Sequence, residues 1–234
     1  MDTAVSRAGR RFEPQQEREL HGAALSAAKS LPSARRGLTV VRELNGPIGI
    51  PDFTALTGDP SQILERHAAP IPPITNEIDA GIVAALNATT GRPVEWIARQ
   101  LGWPPTTVQR RIVSLLRLGA IKGVGNQRFV RDARLGTLGR VYAIEAKVDD
   151  WTSALKQVRT YRVWADAYVL VMGPLSDRVL TRLTPEVRHD RGGLVVDGTW
   201  VLRPRLGHVA PARRIQAAEA FAASTFGGDL LPPL

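Results

Sequence analysis

RVYAIEAK, at residues 140–147, is an apolar run that ends in a glutamate and a lysine. Alternate residues of a β-strand share a face, so Glu145 and Lys147 project to one side while Tyr142 and Ile144 project to the other. A carboxylate and an ammonium group are costly to bury without a role on such a strand. They can hold a divalent metal and activate a water beside it. A surface Glu/Lys pair is the alternative interpretation.

Two further segments extend this pattern. Residues 48–56 are a second short apolar run, predicted as a strand, that contains Pro51-Asp52. Gln157 and Tyr161 lie four residues apart on one face of a helix predicted from about residue 150 to 165. The order Pro-Asp, Glu-x-Lys and Gln-x-x-x-Tyr resembles that of the PD-(D/E)xK nuclease superfamily.

The resemblance implies a fold and a chemistry. The fold is α/β (α+β), restriction-endonuclease-like, with a mixed central sheet flanked by helices. Asp52 and Glu145 would hold one or two Mg²⁺ ions, with Mn²⁺ as a substitute, and Lys147 would orient the attacking water. Gln157 and Tyr161 would support the catalytic site and contact DNA. For Tyr161, a packed core position is the alternative.

A fourth carboxylate often completes such sites, and two residues compete for this role. Glu17 begins a stretch, Glu17-Arg18-Glu19-Leu20, that resembles the Glu-Arg-x-Leu opening of resolvase-like members. Glu43 lies on the strand predicted for residues 38–44, just before Asp52. An exposed carboxylate with no catalytic role also explains either one.

Composition excludes several classes of protein. The 234 residues include no cysteine, which excludes disulfides, cysteine-ligated zinc and a thiol nucleophile. No glycine loop that would cradle phosphates is present, so no nucleotide cofactor is expected. The N-terminus lacks an apolar signal core, and no run approaches the length of a membrane span. These features predict a cytoplasmic protein with no membrane contact.

The net charge of +9 favours a polyanionic partner, and double-stranded DNA fits best. Residues 92–134 contain nine basic and two acidic residues, a local net charge of +7. Most of the excess positive charge therefore lies in one segment. A solvated basic face is the alternative explanation.

The same segment has a helical pattern. Helices are predicted over residues 76–86, 93–101 and 106–118, and a basic hairpin with a glycine-rich tip over 120–130. The stretch WIARQLGWPPTTVQRR, at residues 96–111, resembles the winged helix-turn-helix of bacterial regulators. The resemblance implies that the third helix reads bases and that the hairpin lies along the backbone or the minor groove. The implied DNA-binding residues are Thr106, Thr107, Gln109, Arg110, Arg111, Lys122, Arg128 and Arg131.

These patterns predict an organisation and a function. The segments are a mobile N-terminus (1–13), the first part of a nuclease-like core with a linker (14–75), an inserted three-helix winged helix-turn-helix (76–136) and the second part of the core (137–234). The predicted function is a Mg²⁺-dependent DNA endonuclease that forms a homodimer, because restriction-type cleavage needs two cuts. The alternative is a DNA-binding regulator whose nuclease-like domain is inactive and serves dimerisation or partner contact.

Overall fold

The computed structural model describes residues 18–226. Its strands are β1 (Leu38–Arg42), β2 (Phe53–Thr57), β3 (Arg92–Pro93), β4 (Ile121–Gly123), β5 (Arg128–Arg131), β6 (Arg140–Lys147), β7 (Ala167–Met172), β8 (Gly193–Val196) and β9 (Thr199–Leu202). Its helices are α1 (His21–Lys29), α2 (Ser61–His67), α3 (Glu77–Ala85), α4 (Val94–Leu101), α5 (Pro105–Arg117), α6 (Trp151–Tyr161), α7 (Asp177–His189) and α8 (Pro211–Phe226). No helix within the described range is long and apolar enough to cross a membrane.

The main sheet has six strands in the order β1-β2-β6-β7-β8-β9. β6 lies near its middle and pairs antiparallel with β2 and parallel with β7. β8 continues the parallel part, and β9 returns antiparallel to it. Helices cover this mixed sheet, so the predicted α/β class with a helix-flanked mixed sheet is confirmed.

Strand β6 contributes to an apolar core on each face of the sheet. Tyr142 and Ile144 pack with Ala24 and other small residues of α1 on one face. Val141 on the opposite face packs with Val158 of α6 and with residues of α7 and α8. Burial of apolar surface is the main source of stability in such layers. Successive side chains of β6 reach opposite cores because a strand has a side-chain period of two.

Residues 76–136 form a compact module, which we call the helical module. It contains α3, α4, α5 and a second sheet of three strands in the order β3-β5-β4. The side chain of Asn76 accepts hydrogen bonds at the first turn of α3, as N-cap residues do. Gly102 ends α4 in the left-handed conformation, at φ 69°. Local sequence therefore determines the helix boundaries.

The helical module joins one end of the main sheet. The chain leaves at the carboxyl end of β2 and returns at the amino end of β6, where Thr57 and Arg140 are paired. Helix α8 also packs against the module through Ile215. The Gln216 amide nitrogen donates to the Thr75 carbonyl over 2.9 Å. The module is thus fastened to the core by side chains as well as by its two connections.

The segment before β2 differs from its prediction as a strand. β2 begins at Phe53, so Asp52 precedes the strand. Gly49 has a positive φ of 75°, and the carbonyl of Ile48 accepts a hydrogen bond from the Trp164 indole. This carbonyl is therefore bonded to a side chain rather than to a neighbouring strand, and residues 48–52 form a loop.

One further boundary differs from its prediction. β1 ends at Arg42, because Glu43 has a φ of 47°. Helix α7 continues past Pro185 to His189. The mobile N-terminus predicted for residues 1–13 lies outside the described residues.

Candidate functional site

Asp52 and Glu145 lie side by side at one end of the main sheet. Phe53, the first residue of β2, pairs with Ile144 in the antiparallel ladder, and Asp52 and Glu145 are the next residues along the two chains beyond this pair. The Asp52 Oδ2 atom accepts a hydrogen bond of 2.7 Å from the amide of Ala146. Both carboxylates are buried, with 4% and 0% of their surface exposed.

Lys147 shares the face of Glu145, as the strand period predicts. Its Nζ lies 4.0 Å from Glu145 Oε1, and 19% of its side chain is exposed. The ammonium group of the lysine is therefore accessible to solvent, while the glutamate beside it is buried. A phosphate that approached this end of the sheet would meet the ammonium group first.

Tyr161 supports Glu145 from helix α6. Its hydroxyl lies 3.0 Å from Glu145 Oε2 and 3.1 Å from the carbonyl of Ile50, and it can donate to either. The Gln157 amide nitrogen donates to the same hydroxyl over 2.9 Å. Burial, and after it the charge of Glu145, raises the pKa of Tyr161, which keeps the phenol protonated as a donor.

The position of Tyr161 combines the two alternatives that the sequence left open. The side chain is fully buried and belongs to the core that α6 forms with the sheet. Its hydroxyl nevertheless contacts the buried carboxylate. One residue therefore serves the core and the candidate site together.

Of the two candidates for the fourth carboxylate, the structure describes Glu43. Glu43 is half-buried, and its amide donates to the Asp52 carbonyl over 3.0 Å. This bond places its backbone beside the site, and no contact of its carboxylate with the site is seen. Glu17 lies outside the described residues. Within residues 18–226 no group of three or more His, Cys, Asp or Glu side chains is arranged to hold a metal.

The exposed face of α5 carries three of the predicted base-reading residues. Thr106, Gln109 and Arg110 are exposed, and Thr107 is partly exposed. Positions i, i+3 and i+4 lie on one helix face, so the three side chains project together. Buried residues of α5, such as Val108 and Ile112, occupy the opposite face.

Two of the predicted DNA-binding arginines have partners within the helical module. Arg111 forms a bidentate pair with Asp79 of α3, with its Nε 2.7 Å from Oδ1. The hydrogen bond to Asp79 raises the pKa of Arg111. Arg131 donates to the carbonyls of Leu86 and Leu135. We therefore assign both arginines to holding the helical module together.

The β4–β5 hairpin presents the other two predicted cations. Lys122 and Arg128 are exposed, and the Lys122 Nζ lies 3.5 Å from Asp132 Oδ2. Asp132 is bound more closely by Arg134, and the hydrogen bonds from Arg134 hold the pKa of Asp132 well below its usual range. Both hairpin cations are therefore placed to meet an anion outside the module.

Sequence reasoning missed the backbone groups that complete the site. The Ala146 amide binds Asp52, and the Ile50 carbonyl lies within hydrogen-bonding distance of the Tyr161 hydroxyl. Every residue has these groups, so no residue type signals them. Comparison with protein-family models, curated proteins and solved structures gives no match. The functional argument therefore depends on this geometry.

Proposed function

We propose that the protein is a metal-dependent DNA endonuclease of the PD-(D/E)xK type, which hydrolyses phosphodiester bonds in double-stranded DNA. One observation carries the proposal: the carboxylate of Asp52, just before β2, is bonded to β6 beside Glu145, with Lys147 on the same face as Glu145 and Tyr161 in contact with it. Chance pairing of two surface residues does not explain a fully buried carboxylate with a buried donor.

The residues fit Mg²⁺ rather than a metal held in a cage of protein ligands. Magnesium binds through one or two carboxylates and completes its shell with waters and substrate phosphate oxygens. Asp52 and Glu145 supply hard oxygen donors of this kind. Bound there, Mg²⁺ or Mn²⁺ supplies Lewis acidity toward the phosphate and makes a neighbouring water more acidic.

The side chains around the carboxylates have separate tasks. Lys147 orients the attacking water and offsets the negative charge that develops on the phosphate oxygens. Tyr161 fixes the orientation of Glu145, and Gln157 in turn fixes the Tyr161 hydroxyl. The amide of Ala146 holds Asp52 in the same way. A small network of donors thus positions both carboxylates before substrate arrives.

The helical module is proposed as a winged helix-turn-helix that binds the duplex. Its support is the order of elements: three helices, with α5 third, and a small sheet ending in an exposed basic hairpin. Helix α5 would enter the major groove and present Gln109 and Arg110 to base edges. Lys122 and Arg128 would lie along the phosphate backbone. A homodimer would supply the two cuts of a duplex.

One specific observation supports the alternative of a DNA-binding regulator with an inactive core. The helical module joins the sheet at the amino end of β6, and Glu145 lies five residues farther along this strand, about 17 Å away. Binding of a duplex by the module therefore does not by itself place the duplex at the carboxylates. A regulator would not need the duplex to reach them.

Nicking of supercoiled plasmid separates the two functions. We expect the purified protein to convert supercoiled DNA to nicked and linear forms with Mg²⁺ or Mn²⁺, and to lose this activity in chelator. Duplex binding should persist in chelator, because it depends on basic residues. Binding without cleavage under every metal condition would favour the regulator.

Substitutions in α5 and in the hairpin are expected to have different effects. Replacing Gln109 and Arg110 by Ala should relax sequence preference by about 1–3 kcal/mol for each lost bidentate contact. Replacing Lys122 or Arg128 by Ala should weaken all duplexes alike and reduce the salt slope by about one unit. Binding titrations on a panel of duplexes test both. Uniform effects of both classes would mean that α5 does not read bases.

Replacing Tyr161 by Phe isolates the task of its hydroxyl. The ring keeps its edge contact with Trp164, at 6.0 Å between centroids, while Glu145 loses a donor. We expect cleavage to fall about 10–100-fold, as for the loss of a partner of a metal ligand. The Mg²⁺ concentration for half-maximal cleavage should rise as well. A lower melting temperature with unchanged Mg²⁺ dependence would mean that Tyr161 is only a core residue.

A further inference from the structure

Three adjoining cavities form a groove across one end of the main sheet. The first, of about 360 Å³, shares Asp166, Gly207 and His208 with the second, of about 210 Å³. The second shares Arg191 and Arg205 with a third of about 410 Å³. We call the surface lined by these three cavities the arginine groove. It continues from the helical module across the core.

The arginine groove carries a large excess of positive charge. Nine of its lining residues are arginines and two are aspartates, Asp166 and Asp190. Each aspartate is buried and already bound by two arginines: Asp166 by Arg140 and Arg214, and Asp190 by Arg159 and Arg162. The internal acids therefore leave most of the guanidinium charge uncompensated.

Several of these arginines have guanidinium groups available to a ligand. Arg188, Arg191 and Arg205 are exposed, and their side chains form no hydrogen bond or ion pair with the residues that the structure describes. Arg203 is held differently, with its guanidinium 4.4 Å from the centre of the Trp200 ring. Guanidinium groups bind phosphate with two parallel hydrogen bonds. The groove thus offers repeated phosphate-binding groups along a path.

The arginine groove lies at the end of the sheet to which the helical module is attached. Arg140 begins β6, and Arg191 comes just before β8, which runs parallel to β7 and β6. Arg203 and Arg205 follow the antiparallel β9 at the same end. Arg131 of the module lines the groove too. Crossing β6 to β9 spans about 14 Å at about 4.8 Å per strand.

We propose that the arginine groove binds the phosphate backbone of the duplex that the helical module holds, as a second contact surface of the core. This inference rests on the proposed binding of double-stranded DNA. Measured along the duplex axis, a span of about 14 Å corresponds to roughly four phosphates of one strand. The module would then determine which sequence is bound, and the groove would add affinity that does not depend on sequence.

The lining of the groove favours a duplex over other polyanions. Grooves for single strands combine cations with exposed aromatic rings on which bases stack. The aromatic residue that lines this groove, Tyr168, is 1% exposed, so no stacking platform is offered. Surfaces that bind membranes have a broad apolar face beside the cations, whereas arginine is the commonest residue type of this concave lining.

The test compares two double substitutions that remove the same charge. Arg188→Gln with Arg205→Gln changes the groove. Arg35→Gln with Arg36→Gln is the control, since these exposed arginines lie before β1, and β1 is at the far edge of the sheet. Duplex affinity is measured by fluorescence anisotropy over a series of KCl concentrations. The groove variant should lose about two units of salt slope and about ten- to thirty-fold in affinity at 150 mM KCl. The control should retain its slope.

The outcomes separate this inference from the proposed function. Equal slopes for the groove and control variants, with the Arg110→Ala variant still impaired, would overturn the groove and leave duplex binding by the module intact. No duplex binding by the unmodified protein would overturn both. A larger loss on a single strand of equal length, or a loss only on vesicles that contain phosphatidylserine, would assign the groove to another ligand.

Discussion

Replacing Asp52 by Asn, Glu145 by Gln or Lys147 by Met is expected to abolish Mg²⁺-dependent cleavage while duplex affinity stays nearly unchanged. Each substitution keeps the size of the side chain and removes its charge. Glu145→Gln also retains an oxygen that can accept from Tyr161. The loss in cleavage rate should be about 10²–10³-fold or more, the effect of removing one group that stabilises charge in a transition state.

Binding and cleavage should separate because of where the charges lie. The exposed cations of the helical module are attached near the amino end of β6, whereas Lys147 ends this strand. Affinity arises mainly from contacts between cations and phosphates. The three substitutions leave those cations unchanged, so anisotropy titrations in chelator should match those of the parent protein.

Two exposed residues serve as matched controls. Glu65→Gln removes a carboxylate from α2, and Lys29→Met removes an ammonium group from the end of α1. Both variants should cleave plasmid at the parental rate. Parental cleavage by all three site variants would refute the assignment of the carboxylates. Cleavage lost equally in the controls would show that a general change in charge is responsible.

Local patterns predicted the elements that form the site. The strand at residues 140–147 and the alternation of Glu145 and Lys147 follow from a period of two along eight residues. Helix α6 and the spacing of Gln157 and Tyr161 follow from a period near four.

Long-range contacts explain most of the differences. Asp52 belongs to a loop because a carbonyl of that loop accepts a bond from Trp164, more than a hundred residues farther along the chain. Arg111 is fixed by Asp79, and Arg131 by two backbone carbonyls. Charge patterning counts an arginine without showing which group it contacts. The sequence therefore does not show which of these arginines can reach DNA.

The sheet order also had to come from the structure. Neither the Pro-Asp nor the Glu-x-Lys motif indicates that β2 and β6 are antiparallel neighbours. That pairing brings Asp52 beside Glu145 and, for the same reason, places the connections of the helical module at the other end of both strands. No local pattern in the sequence indicates the arginine groove, because its residues are spread from Arg131 to Arg214 and meet only in the folded chain.

A buried ion pair holds the connector of the helical module on α8. Arg66 and Glu219 are each 1% exposed, and the Arg66 Nε lies 2.8 Å from Glu219 Oε1. Arg66 also donates to the carbonyl of Ile71, and Glu219 accepts from the amide of Ile74. The pair therefore binds the proline-rich segment before α3 to the last helix of the core.

Replacing Glu219 by Leu should lower the free energy of unfolding by about 3–5 kcal/mol, because the guanidinium of Arg66 stays buried without its partner. The double substitution Arg66→Met with Glu219→Leu should recover part of this loss, since no uncompensated charge remains. Recovery stays incomplete because the Ile71 carbonyl and the Ile74 amide lose their partners.

Glu77→Gln is the control. It breaks the pair with Arg213, in which the Glu77 side chain is 60% exposed, and it should lower the free energy of unfolding by less than about 1 kcal/mol. Urea unfolding of the four proteins measures these differences. A double variant less stable than Glu219→Leu would show that the buried pair does not act through charge compensation.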